Sequence, residues 1–186
     1  MRVIAGTLKG RRLKSPTWEG LRPTSDKLRE TLFNILAPRV TDARVLDAYA
    51  GTGAVGIEAL SRGARAVTFV DDDRRAVALI GENLAHCGVA NQCVIIRATV
   101  ARALDDLRGR SASGLFDIVL LDPPYARPHD LDLDAILRAA GGLLARDGVI
   151  VLEHARRHDV PEAPEGLART RTVTAGDSAL SWYEIR

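Results

Sequence analysis

Val45-Leu46-Asp47-Ala48-Tyr49-Ala50-Gly51-Thr52-Gly53-Ala54-Val55-Gly56 runs from a short apolar stretch through a glycine-rich turn into a helix. Gly51, Gly53 and Gly56 satisfy the spacing G-x-G-x-x-G, in which glycines allow a tight turn and bring backbone close to a ligand. Asp71 follows 18 positions after Gly53, at the end of the next apolar stretch. A carboxylate at that place meets the hydroxyls of a ribose. These residues predict a parallel α/β sheet with a nucleoside-bearing cofactor over its strand ends. They do not by themselves name the cofactor.

Working outward, the pattern repeats. Arg44–Asp47, Ala66–Val70, Cys93–Arg97, Phe116–Leu121 and Val149–Glu153 read as apolar strands. Helices are expected between them, at Ala54–Ser61 closed by Gly63, Arg74–His86 ended by Gly88, Val100–Arg108 and Leu133–Ala145. Asp147-Gly148 is expected to turn the last helix into its strand. Five apolar strands alternating with helices imply a parallel sheet covered on both faces. The tail differs, since Ala168–Thr174 and Ala179–Ile185 alternate around Ala175-Gly176-Asp177-Ser178, a hairpin signal. Ahead of the sheet, Thr24 or Ser25 caps a leading helix with Asp26 in its first turn, and Pro38 is expected to stop it. The expected organisation is a basic arm and leading helix over residues 1–38 and an α/β domain over 39–186.

Composition narrows the class. The chain has 186 residues, 46% hydrophobic and 27% charged, which suits one globular domain. No apolar run approaches the ~18 residues that cross a bilayer, so no membrane partner is expected. Cys87 and Cys93 are the only cysteines. That excludes a disulfide scaffold and a Cys/His zinc site of usual spacing, so no metal is expected, and it suits a reducing cytoplasm. Nothing in the sequence demands more than a monomer.

Charge is unevenly placed. Residues 1–29 carry Arg2, Lys9, Arg11, Arg12, Lys14, Arg22, Lys27 and Arg29 against Glu19 and Asp26, a net +6. The remainder nets −4. A basic arm on an acidic body points to a polyanionic partner met through one face. Arg2, Lys9, Arg11, Arg12 and Arg22 are the candidates to bind it, most through forks suited to phosphate.

Electrostatics also chooses between cofactors. A dinucleotide sets its pyrophosphate at the helix start. Asp47, four residues before Gly51, would bring negative charge towards those phosphates. S-adenosylmethionine has no phosphate, only an ammonium group and a sulfonium, and Asp47 suits it directly or through water. Asp72 and Asp73 flank the same turn, and Asp73 is placed to cap the next helix.

Leu120-Leu121-Asp122-Pro123-Pro124-Tyr125 follows the fourth strand, on the same sheet edge as the glycines and Asp71. Two prolines remove two backbone donors and stiffen the turn, leaving carbonyls to accept. Asp122 and the Pro123 carbonyl together suit the two N–H groups of an exocyclic amine. Tyr125 suits stacking on the attached base, flipped out of its own stack where needed.

With these residues quoted, the chain resembles a known family. Asp47 to Gly63 and Asp-Pro-Pro-Tyr at 122–125 look like the class I amino-methyltransferases. Arg2-Val3-Ile4-Ala5-Gly6, Gly10-Arg11-Arg12-Leu13 and Leu21 to Asn34 resemble the RsmD-type bacterial enzymes that methylate guanine N2 in 16S ribosomal RNA. Gly176-Asp177-Ser178 with Leu180-Ser181 extends the likeness to the closing hairpin. The resemblance implies a Rossmann-like sheet of seven strands, mostly parallel with the last antiparallel, helices on both faces and S-adenosylmethionine as donor. It implies 16S rRNA as substrate, within the small subunit or an assembly intermediate. By position it implies that Asp47, Ala50, Gly51, Thr52 and Gly53 line the cofactor, that Asp71 with Asp72 takes the ribose, and that Thr99-Val100 lies at the adenine. Asp122, Pro123, Pro124 and Tyr125 take the target amine and base, Asp122 also bordering the cofactor. Relatives commonly carry Asp or Asn where this chain has Ala98-Thr99-Val100, so the adenine contact is expected to be weaker. The alternatives are an acceptor at adenine N6 or cytosine N4, a nicotinamide-dependent oxidoreductase, and an RNA-binding module without turnover.

Overall fold

The computed structural model describes residues 1–18, 25–110, 114–124 and 132–186. Val45–Ala48, buried on both faces, belongs to strand β1 (Arg44–Ala48), inside a sheet of seven strands. Parallel neighbours are β2 (Ala66–Asp71) and β4 (Phe116–Leu121). β3 (Cys93–Arg97) extends the β2 side, and β5 (Leu144–Ala155) extends the β4 side. A hairpin of β6 (Leu167–Ala175) and β7 (Ser178–Ile185) completes the sheet, giving the order β3-β2-β1-β4-β5-β7-β6. β7 is antiparallel to both neighbours, so the last strand runs against the rest.

The order reverses between β1 and β4, which opens a crevice beyond the carboxyl ends of these two strands. One face carries α1 (Asp26–Val40), α2 (Ala54–Ser61) and α3 (Arg74–Cys87). The other carries α4 (Val100–Arg110) and α5 (Leu133–Gly141). Val3 and Leu13 of the arm are buried with Phe33, Ile57 and Leu84 in the first of these two cores, so the arm packs with the domain. Cys87 and Cys93 are free thiols raised by burial, Cys93 to about 11.

Two expected boundaries are corrected. α1 passes Pro38 and ends at Val40, because a proline in the last turn sacrifices one hydrogen bond while Val40 gains a buried place. α5 stops at Gly141, not Ala145, since paired glycines are poor helix formers and Leu143–Leu144 pair with Leu115–Phe116 instead. Asp147-Gly148 then lies inside β5, at a bulge where Phe116 pairs Leu144 but Ile118 pairs Val149. The remaining strands and helices fall within a residue or two of expectation, and Ser25 caps α1 with its hydroxyl on the Leu28 N–H.

Candidate active site

At the end of β1 the backbone turns through three residues of positive φ: Tyr49 at 63°, Gly51 at 56° and Gly53 at 75°. Glycine adopts this region freely, and Gly53 serves as the N-cap of α2. Tyr49 does not, and a strained side chain of this kind at a strand end marks a functional turn. Burial and the nearby Asp72 charge push the Tyr49 hydroxyl up to about 12.

Gly56 has a different task. A Cβ there would lie 2.3 Å from Phe69 Cε1, so Gly56 lets α2 pack onto β2 and does not face a ligand. Its N–H donates to Asp47 Oδ2 at 2.8 Å. Asp47 is 3% exposed, and its carboxyl is raised to about 7 by burial, against the Gly56 N–H and with the Asp71 charge adding to the rise. A cation reaching this floor would restore the charged form.

Asp71 closes the other side of the turn. Its Oδ2 accepts from the Gly51 N–H at 2.8 Å and its Oδ1 from the Asp73 N–H at 2.9 Å. Each oxygen keeps a further lone pair, the acceptor pattern that a ribose diol needs. Burial raises this carboxyl too, opposed by those two N–H bonds and reinforced by Asp72 and Asp73. Asp72 is exposed. Asp73 is the N-cap of α3, accepting from the Arg75 N–H.

The second turn meets the first. The Asp122 N–H donates to the Ala48 carbonyl at 3.4 Å, tying the residue after β4 to the end of β1. Asp122 is half-buried, Pro123 buried and Pro124 exposed. Tyr125 and Arg22 lie outside the described residues. Ala50 and Thr52 are buried within the glycine turn. Thr99 is exposed, but its Oγ1 accepts from the Arg102 N–H at 3.4 Å and its carbonyl receives Ala103, so it caps α4. Val100 points into the second core beside Leu104. Neither side chain offers a carboxylate or an amide to the adenine expected here.

Among the described residues, the arm's cations make their contacts away from this edge. Arg2 and Arg12 form an antiparallel bridge, and Arg11 donates to the His86 carbonyl at 3.1 Å. His86 lies twelve residues beyond Arg74, about 18 Å along α3 from the strand ends. Lys9 borders a cavity of about 350 Å³ with Arg2, Asp26, Lys27 and Glu30. Among the polar residues that hold the arm, Glu58 and Asn83, both fully buried, escaped the sequence reading. Their signal was present, a charge inside the apolar helix AVGIEALS and an amide on the apolar stripe of α3.

The residues fit S-adenosylmethionine better than a dinucleotide. The start of α2, where a pyrophosphate would sit, has the buried Asp47 carboxylate beneath it, and the turn lies between carboxylates that suit a cation and a ribose. Fold and site together define a class I S-adenosylmethionine-dependent methyltransferase. The chain belongs to the family described as Conserved hypothetical protein 95, whose profile matches residues 1–184. Ribosomal RNA small subunit methyltransferase D of Escherichia coli strain K12 is 36% identical over 99% of this chain and 89% of its own. The solved structure of yhhF from Escherichia coli is 32% identical, with a TM-score of 0.85 over 100% of this chain and 98% of that one. SMU.776, solved in complex with SAH, shares the fold at 18% identity and a TM-score of 0.67, over 84% of this chain and 49% of its own.

Proposed function

We propose that this chain methylates the exocyclic N2 amine of a guanine in 16S ribosomal RNA. The observation that carries the reading is the juxtaposition at the β1–β4 crevice: a carboxylate-lined cofactor turn joined through Asp122 and Ala48 to an acceptor turn poor in donors. Family membership supports RNA of the small subunit as substrate.

Bound in the turn, the cofactor supplies an electrophilic methyl on a sulfonium. Asp47 gives the floor a negative potential for its cationic end, while Gly51 and Gly53 let it approach the backbone. Asp71 accepts from the ribose. Asp122 and the Pro123 carbonyl accept the two amine N–H bonds, which turns the nitrogen lone pair out of conjugation and aims it into the crevice. Asp122 or water would take the proton that the nitrogen sheds on methylation, the cofactor leaving as its neutral thioether. Tyr125 stacks on the base. Arginines of the arm contribute phosphate contacts that carry affinity without sequence information.

Among the described residues no helix is long and apolar enough to cross a membrane. The reading implies a cytoplasmic enzyme, acting as a monomer on the small subunit or an assembly intermediate. The test is incubation of the chain with tritiated S-adenosylmethionine and undermethylated small subunits, followed by nucleoside analysis. N2-methylguanosine is expected. Label in N6-methyladenosine or N4-methylcytidine would overturn the guanine assignment, and no label at all would overturn the enzyme.

A further inference from the structure

Asn83 is fully buried on the apolar stripe of α3, between Ile80 and Leu84. Its Oδ1 accepts from the Lys14 N–H at 2.8 Å, and its Nδ2 donates to the Lys14 carbonyl at 3.2 Å. The same nitrogen donates to the Thr52 carbonyl at 3.0 Å. One face of the amide therefore pairs Lys14 as a neighbouring strand would. Its second N–H reaches the residue between the two cofactor glycines. Both amide hydrogens and the acceptor are engaged.

The chain beyond this joint runs towards the cofactor. The Lys14 ammonium pairs with Glu82 at 2.9 Å. Four residues on, Trp18 lies under Arg75, whose guanidinium carbon is 5.0 Å from the ring centroid. Arg75 pairs with Asp73 at 2.7 Å, next but one to the ribose carboxylate Asp71. The reach suffices: from Asn83 back to Arg75 α3 rises about 12 Å, and four residues of chain can span at most about 13 Å. Lys14 to Trp18 thus runs beside α3 from its middle to the rim of the cofactor turn. Thr52 is tied to the arm a second time, its Oγ1 donating to Met1 Sδ at 3.8 Å.

We infer that Asn83 is a positioning residue for the cofactor site: it fixes the height of the Lys14–Trp18 segment against the glycine turn, so that this segment forms the outer wall of the pocket. The inference rests on the cofactor assignment above. It makes the arm part of cofactor binding, besides any contact with RNA.

Asn83→Asp tests it in the full chain, because Asp keeps the acceptor for Lys14 and, even protonated, has at most one of the two donors. Lys14→Pro tests the same joint from an exposed position, removing the Lys14 N–H, and serves if the buried aspartate prevents folding. Calorimetry with S-adenosylhomocysteine is expected to show a dissociation constant raised at least fivefold in either variant. In methyl transfer the loss is expected in KM for the cofactor, with kcat within about threefold of wild type. Wild-type affinity in a folded variant overturns the inference alone. A loss confined to kcat does the same. Failure of the wild-type chain to bind S-adenosylhomocysteine overturns the cofactor assignment and the inference with it.

Discussion

Two buried carboxylates lie at opposite ends of one helical layer, and they are treated in opposite ways. Glu58 in α2 is saturated by the protein. It accepts from the Ile4 and Ala5 N–H groups at 2.8 and 3.0 Å and from Arg62 Nε at 2.8 Å, and Arg29 Nε lies 3.7 Å away. Asp47, beneath the N-terminus of α2, accepts the Gly56 N–H and has a second carboxylate, Asp71, as its charged neighbour. The charge at Glu58 is consumed in holding the arm. The charge at Asp47 is held back by burial, at a floor where an arriving cation would draw it out. Burial of a carboxylate therefore marks structure at one end and a binding site at the other, and the partners tell which.

The largest effect should come from the saturated end. Glu58→Ala removes the only fully buried carboxylate beside Arg29, itself fully buried and with Nε and Nη1 lacking hydrogen-bond partners among the described residues, and leaves it the half-exposed Asp26 alone. Breaking a buried pair costs about 3–5 kcal/mol. Urea denaturation should show that loss, with limited proteolysis cutting within residues 1–18. A cost near 1 kcal/mol would mean that Val3, Leu13 and the bonds to Ser61 and Asn83 hold the arm without Glu58. At the open end, Asp122→Ala should slow methyl transfer at least about a hundredfold, near 2.7 kcal/mol of barrier, with cofactor affinity within a few-fold. Asp122→Asn keeps an acceptor oxygen and should retain activity well above the Ala variant. Single-turnover transfer on the small subunit reads both, and equal inactivity of two folded variants would mean that a carboxylate is required as base.

This contrast was only half legible in the sequence. Gly51, Gly53, Asp71 and Asp122 could be singled out because turn chemistry is local: a glycine pattern, a strand end and a double proline announce themselves within a few residues. The parallel sheet followed from runs too apolar for a wet face. What could not be read was which buried polar groups answer one another across 54 or 69 positions, as Glu58 answers Ile4 and Asn83 answers Lys14. Gly56 shows the same limit, since only the packed structure reveals Phe69 where a Cβ would stand. The arm read as a charged appendage because its cations are visible in sequence. Its attachment rests largely on backbone N–H and carbonyl groups, which every residue has. The α5–β5 boundary failed for a related reason, because Leu143 and Leu144 fit a helical stripe until β4 offers them a strand partner.

The ribose side gives a smaller and more specific effect. Asp71 is joined to the turn through the Gly51 N–H, so its loss removes a turn contact and, on the proposed reading, the acceptor for the ribose diol. Hydrogen bonds to a charged group contribute about 1.5–3 kcal/mol each. Asp71→Ala should raise the dissociation constant for S-adenosylhomocysteine at least about tenfold, equivalent to ~1.4 kcal/mol. Calorimetry showing normal affinity would transfer that role to Asp72.

The smallest effect has the most telling sign. Folded Asp47 holds its proton up to about pH 7, whereas its ordinary value is 3.8. Between those values the folded state binds more protons than the unfolded chain, so stability falls as pH rises and the penalty is complete above about 7. Asp47→Asn removes the ionisation while keeping an oxygen for the Gly56 N–H. It also exchanges a charge-assisted hydrogen bond for a neutral one, which offsets much of the relief. The net gain for the free protein at pH 8 should be about 1 kcal/mol, a rise of about 2–4 °C in Tm, shrinking to nothing towards pH 4. Cofactor affinity should move the other way, because the neutral amide gives a cation nothing to pair with. Thermal melts of both proteins from pH 4 to pH 8, with and without S-adenosylmethionine, decide the matter. A variant stabilised without ligand and less stabilised by it confirms a carboxylate kept under strain for a cation. A variant destabilised at pH 8 without ligand would make Asp47 a second Glu58, held by the fold for its own sake.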